Sequence, residues 1–149
     1  EAFHRLGERA KREGVIMRFI GQRERMPEDL QACIRASEED TKGGSEGVLT
    51  IALSYGGRAE IVAAVNRLLA EGADAVDEER FAAALWSAGT SDPDLIIRTG
   101  GDQRLSNFLT WQSVYSELFF LDTPFPALAR QEFDAVLVEF AARERRRGK

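Results

Sequence analysis

Three short apolar runs, each delivered into glycine, constrain this chain more than any other feature. They are Val15–Ile20 before Gly21, Val48–Leu53 before Gly56-Gly57, and residues 94–98 before Gly100-Gly101. Continuous Val/Ile/Leu runs of this length read as strands buried on both faces, with glycine marking where the backbone turns out of the sheet. Between them the apolar period changes to that of a helix. Phe3, Leu6 and Ala10 form one such face, ended by Gly14; Leu30, Cys33, Ile34 and Ser37 form a second. Ile61, Val62, Val65, Leu68 and Leu69 form a third, ended by Gly72. Pro27, with Glu28 and Asp29 behind it, opens the second helix favourably for its dipole. Asp77 is an N-cap for a helix carrying Phe81, Leu85 and Trp86. Leu118–Leu121 reads as a last short strand, and Phe133, Val136, Leu137 and Phe140 pattern a final helix. Strand and helix in alternation require crossovers, so the expected fold is α/β: a mostly parallel central sheet with helices on both faces.

At 149 residues the chain is sized for one domain, and its 44% hydrophobic and 30% charged composition is that of a globular protein. A net charge of −5 argues against a general nucleic-acid binder, which needs a basic face. One cysteine and one histidine leave no internal disulfide, no Cys/His zinc site and no His-based triad. Cys33 is expected to be a small core residue, and Trp111, Tyr115, Phe119 and Phe120 are expected in the core. A reducing, cytoplasmic setting fits the cysteine count. The first residue is Glu1 rather than methionine, so the sequence reads as a piece of something longer.

The chemistry concentrates at residues 94–108. Arg98 leaves a strand, Gly100-Gly101 turns the chain, and Arg104 follows six positions on, with Ser106 opening a predicted helix. Two guanidiniums, glycine amides, a hydroxyl and a helix N-terminus are the parts of a phosphate site. The bland alternative pairs Arg98 with Asp94 or Asp102 and leaves Ser106 as a cap. No G-x-x-x-x-G-K-[ST] and no G-x-G-x-x-G occurs, which removes the usual support for ATP or NAD. Any metal must be hard and oxygen-bound, Mg²⁺ first. Glu117 is an acid set among aromatic and aliphatic residues; Arg143, Arg145, Arg146 and Arg147 suit a solvated helix end.

Residues 94–120, D-L-I-I-R-T-G-G-D-Q-R-L-S-N-F-L-T-W-Q-S-V-Y-S-E-L-F-F, closely resemble the C-terminal signature of the cis-prenyltransferases, the undecaprenyl diphosphate synthase type of isoprenyl transferase. R-F-I-G at 18–21, A-L-S-Y-G-G-R at 52–58 and R-E-R-R-R-G at 143–148 agree in order and spacing. The resemblance implies an undecaprenyl diphosphate synthase-like fold with its N-terminal part missing. Residues 1–149 would be the C-terminal portion of a single such domain. It implies a transferase that condenses isopentenyl diphosphate with an allylic, farnesyl-type diphosphate to make a cis-polyprenyl diphosphate, with Mg²⁺ as cofactor. Carried over by motif, Arg98, Arg104, Leu105 and Ser106 would hold isopentenyl diphosphate, and Glu117 the Mg²⁺. Arg146 and Gly148, of an R-x-G element, would reach a dimer partner's site. Leu49, Ile51 and Leu53 would line a product tunnel or pack in the core.

Two family elements are absent, the D-G-N-G-R loop and the S-T-E-N-W-x-R-P segment. The loop carries the catalytic aspartate, so no catalytic residue is assigned within this chain, which is expected to be inactive by itself. Asp102 stands where many members have Glu. The same resemblance implies a homodimer, a cytoplasmic location and peripheral membrane contact for product release. The alternative is a non-catalytic accessory subunit of a cis-prenyltransferase complex.

Overall fold

The computed structural model describes residues 2–143; Arg145, Arg146, Arg147 and Gly148 lie outside the described residues. Two compact units follow one another along the chain, Glu1–Ala88 and Gly89–Lys149.

The first unit is built on two parallel strands, β1 (Val15–Ile20) and β2 (Gly47–Ala52), in register from Val15 opposite Gly47 to Ile20 opposite Ala52. Helices α1 (Ala2–Arg12) and α2 (Glu28–Thr41) pack on the face that carries Met17 and Phe19. Ala10, Met17, Phe19 and Ile34 form the buried cluster there, with Phe3 edge-on to Phe19. Ile51 and Leu53 pack against the same cluster, so their apolar alternation serves the core. Arg18 points to the opposite face, where its guanidinium donates to the Ala88 carbonyl at 2.7 Å. β1 is thus buried or half-buried throughout, whereas the first half of β2 is exposed, with Val48 and Leu49 open to solvent, contrary to the expectation of a strand buried on both faces.

The outer edge of β1 is closed by side chains. Met17 N–H donates to Thr41 Oγ1 at 2.9 Å and Phe19 N–H to Glu38 Oε1 at 3.0 Å, while Arg23 donates to the Phe19 carbonyl. Edge groups satisfied this way offer nothing to another strand.

Helices α3 (Gly57–Ala70) and α4 (Glu78–Ala84) complete the unit, and Asp77 caps α4 by accepting from Arg80 N–H at 2.8 Å. The inner face of α3 differs from the apolar face expected. Glu60, Ala64 and Leu68 are buried, whereas Val62, Val65 and Leu69 are exposed. A glutamate sits inward because its carboxylate is satisfied: it accepts from the Tyr55 hydroxyl and from Ser87 N–H at 2.9 Å.

The second unit repeats the plan with β3 (Leu95–Thr99) parallel to β4 (Glu117–Leu121), Arg98 standing opposite Phe120. Helix α5 (Arg130–Ala142) buries Val136, with Phe133 and Leu137 left near 40% exposed. The parallel α/β class expected from the sequence is present, with the strands hydrogen-bonded two by two among the described residues.

Three local expectations fail. No helix opens near Ser106. Ser106, Asn107 and Leu109 adopt positive φ of 47°, 66° and 46°, which stops a right-handed helix from propagating, and isolated turns run to Ser116. Tyr115 is 66% exposed rather than core, because it rides on those turns. Cys33 is only partly buried, since it faces a hollow between α1 and α2.

Candidate functional site

Arg98 is the fourth residue of β3, and after Thr99 the chain reverses through Gly100 and Gly101, both at positive φ (92° and 84°). Glycine adopts that region without the Cβ penalty. The two glycine amides are not anion donors, contrary to the sequence expectation. Gly100 N–H donates to the Thr123 carbonyl at 3.1 Å and Gly101 N–H to the Leu121 carbonyl at 2.9 Å. These bonds tie the turn to the end of β4 and hold Arg98 where it stands. The helix N-terminus is missing too. Neither a glycine amide nor a helix terminus therefore adds to what the side chains offer an anion.

Those side chains do converge. Arg98 donates through Nη1 to Ser106 Oγ at 2.8 Å and to the Arg104 carbonyl, and through Nη2 to Asp102 Oδ2 at 2.8 Å. Arg104 reaches the same two acceptors, Asp102 Oδ2 at 2.8 Å and Ser106 Oγ at 3.2 Å. The bland pairing of Arg98 with Asp102 is therefore real, and it coexists with the site. The Arg104 side chain is 66% exposed, Asp102 43% and Arg98 24%, so the cluster opens to a ligand. Asp102 is the member that the sequence reading undervalued. Its offsets, four after Arg98 and two before Arg104, were the available signal.

Beside Arg98 lies an open recess of about 340 Å³ lined by Ile96, Ile97, Thr99, Leu105 and Phe108. Leu105 thus joins the site through this wall, which Arg98 also lines, while Arg104 is tied to Arg98 through Asp102 and Ser106. An anion with a short apolar tail matches that pairing of charge and hydrocarbon. A larger hollow of about 490 Å³ between α1 and α2 mixes both signs, with His4 near Glu8 and Lys11 near Asp40, and gathers no convergent set.

Glu117 is not brought to the arginines. It begins β4 opposite Leu95, three register positions from the Arg98–Phe120 pair, a distance of about 10 Å along the strands. Its Oε2 accepts from Arg143 Nη1 at 2.8 Å. Arg143 also donates to Glu139 at 2.8 Å and lies 3.9 Å from the centroid of the Phe119 ring. The hydrogen bonds to Glu117, then Glu139, raise its pKa above the ordinary guanidinium value. No group of three His, Cys, Asp or Glu side chains suited to a metal occurs among the described residues.

A family model described as "Putative undecaprenyl diphosphate synthase" matches residues 1–148. An isoprenyl transferase of Chromobacterium violaceum is 46% identical over 135 residues, which covers 91% of this chain and 54% of that protein. Among solved structures, a probable undecaprenyl diphosphate synthase from Campylobacter jejuni is similar at TM-score 0.89 and 35% identity, over 99% of this chain and 70% of that one. Lavandulyl diphosphate synthase from Lavandula x intermedia, in complex with dimethylallyl diphosphate, is similar at TM-score 0.86 and 31% identity, over 97% and 69%. The chain spans a little over half the length of the curated relatives it matches.

Proposed function

The chain belongs to the undecaprenyl diphosphate synthase family of prenyltransferases, and from that premise we propose that it forms the isopentenyl diphosphate half of a cis-prenyl transfer site. The whole enzyme would condense isopentenyl diphosphate with an allylic, farnesyl-type diphosphate to extend a cis-polyprenyl diphosphate. The observation that carries the reading is the convergence of Arg98 and Arg104 at one exposed point, with Arg98 lining a recess that also holds Ile96, Ile97, Leu105 and Phe108. A diphosphate offers several anionic oxygens to planar, permanently charged donors, and charge-assisted bonds of this kind are the strong ones. Ser106 sits in the same cluster, and Leu105 gives the hydrocarbon its wall. Held by the head, the five-carbon tail would lie along Leu105 and Phe108 in the open recess.

Prenyltransferases generally use a divalent metal, and Mg²⁺ with Glu117 as its acid belongs to this proposal. Glu117 would offer the ion a carboxylate oxygen from the other end of the same strand pair. The glutamate is three registers from Arg98, and one of its oxygens is held by Arg143. What this chain's own groups supply is binding and orientation of the diphosphate. A homodimer, with Arg146 and Gly148 reaching the partner's site, completes the family reading, as does a cytoplasmic enzyme touching the membrane surface to release product. No helix among the described residues is long and apolar enough to cross a membrane. The accessory-subunit alternative gains nothing from the relatives' names, and a scaffold needs no pair of exposed diphosphate arginines.

The test is steady-state transfer from isopentenyl diphosphate by the intact enzyme. Arg98→Ala and Arg104→Ala should each raise the KM for isopentenyl diphosphate and lower turnover, by about 1.5–3 kcal/mol in kcat/KM. Wild-type kinetics in both variants would refute the assignment.

A further inference from the structure

We infer that Asp102 is a positioning residue: its single oxygen Oδ2 locks the two guanidiniums into one donor surface that discriminates diphosphate from monophosphate. The inference rests on the reading that Arg98 and Arg104 bind a diphosphate, and goes beyond it by assigning the selectivity to a third side chain that does not touch the ligand.

A guanidinium has five N–H donors in one plane. Arg98 directs Nη1 at Ser106 Oγ and the Arg104 carbonyl, and one Nη2 hydrogen at Asp102. Its Nε hydrogen and the second Nη2 hydrogen remain for a ligand. Arg104 directs Nε at Ser106 and one Nη2 hydrogen at Asp102, which leaves both Nη1 hydrogens and the second Nη2 hydrogen. Asp102 therefore has no need to leave when an anion arrives. It uses one hydrogen from each arginine and fixes the plane in which the others point.

The alternative to this lock is two like charges on flexible stems. The Arg104 side chain is 66% exposed, and without Asp102 its tip would be held by Ser106 alone. Two guanidiniums whose spacing is set can engage two phosphoryl groups together; two that wander engage them one at a time. Orthophosphate, which needs only one point of attachment, depends less on the lock. Asp102 is thus expected to act on the ratio of pyrophosphate to orthophosphate affinity.

Simple charge arithmetic makes the opposite prediction, which is what makes the inference testable. Removing a carboxylate from an anion site should tighten every anion. The experiment is calorimetric titration of the intact protein with inorganic pyrophosphate and with orthophosphate, for wild type, Asp102→Asn, Asp102→Glu and Arg104→Ala. Asp102→Asn should weaken pyrophosphate about tenfold, the loss of one charged hydrogen-bond partner, and orthophosphate much less, so the ratio falls. Asp102→Glu should restore the ratio, since it returns a charged oxygen that both arginines can share. Tighter pyrophosphate binding by Asp102→Asn, or an unchanged ratio, overturns the inference. If wild type and Arg104→Ala bind pyrophosphate alike, the fault lies instead with the diphosphate reading on which it rests. Circular dichroism melting of each variant shows whether the protein is folded during titration.

Discussion

The ends of β1 and β3 look alike in sequence, a strand running into glycine with arginine close by, and they do opposite work. At the end of β1, a Cβ on Gly21 would stand 2.0 Å from the Leu53 carbonyl oxygen, so backbone fills the space where a ligand would sit. At the end of β3, a Cβ on Gly100 would meet nothing within 4 Å, and one on Gly101 only Asp122 Oδ1 at 3.7 Å. The charges divide in the same way. Arg23 and Glu38 close the edge of β1, and Glu60 is 1% exposed and bonded to Tyr55 and Ser87. Arg98, Arg104 and Asp102 bond to each other yet keep donors facing solvent. An ion pair beside a strand end is evidence of a site only where donors and space are left over.

If that contrast is right, substitutions in the first unit should be read in stability and those around Arg98 in ligand affinity. The largest effect is expected from Gly21→Ala, which adds a backbone clash to a φ of 120° that L-residues rarely adopt. It should cost about 3 kcal/mol or more in chemical denaturation. Near-native stability would break the claim that this strand end is filled. Next comes Glu60→Ala, which removes a buried acceptor of the Tyr55 hydroxyl and Ser87 N–H; about 2–3 kcal/mol of stability should be lost, with pyrophosphate affinity of the folded fraction unchanged. Loss of affinity without loss of stability would erase the division between the two regions.

Ser106→Ala removes the hydroxyl that both arginines address. It should weaken pyrophosphate by about 1 kcal/mol while leaving the melting temperature near that of wild type, because Ser106 is exposed. A fall in stability with no change in binding would return Ser106 to a structural role. An effect of similar size is expected for Thr41→Val, where the buried Met17 N–H loses its acceptor at the β1 edge. About 1 kcal/mol in unfolding free energy would sharpen the picture of a closed edge, and no change would break it.

Much of the architecture was legible because apolar period and chain punctuation are local properties. Val15–Ile20 is a strand as read, Asp77 does cap α4, and α3 ends at Gly72 as expected. The misreadings share one cause. The apolar count on α3 could not say which face turns inward, because the inward choice of Glu60 depends on Tyr55 and on Ser87, 27 residues later. The expected helix at Ser106 failed for a related reason. Its serine looks like a cap, but the segment is held by turns and by the arginines, and three residues take left-handed conformations.

Residue order alone therefore determined the parallel α/β class, the bounds of most elements, and which two arginines could matter, since these follow from periodicity and short spacings. Only the tertiary structure decided what those arginines have around them. The glycine amides went to β4 carbonyls, Glu117 went to Arg143, and Asp102 came between the two guanidiniums. Such outcomes are competitions among donors and acceptors brought together by packing, and a one-dimensional pattern does not contain the distances that settle them.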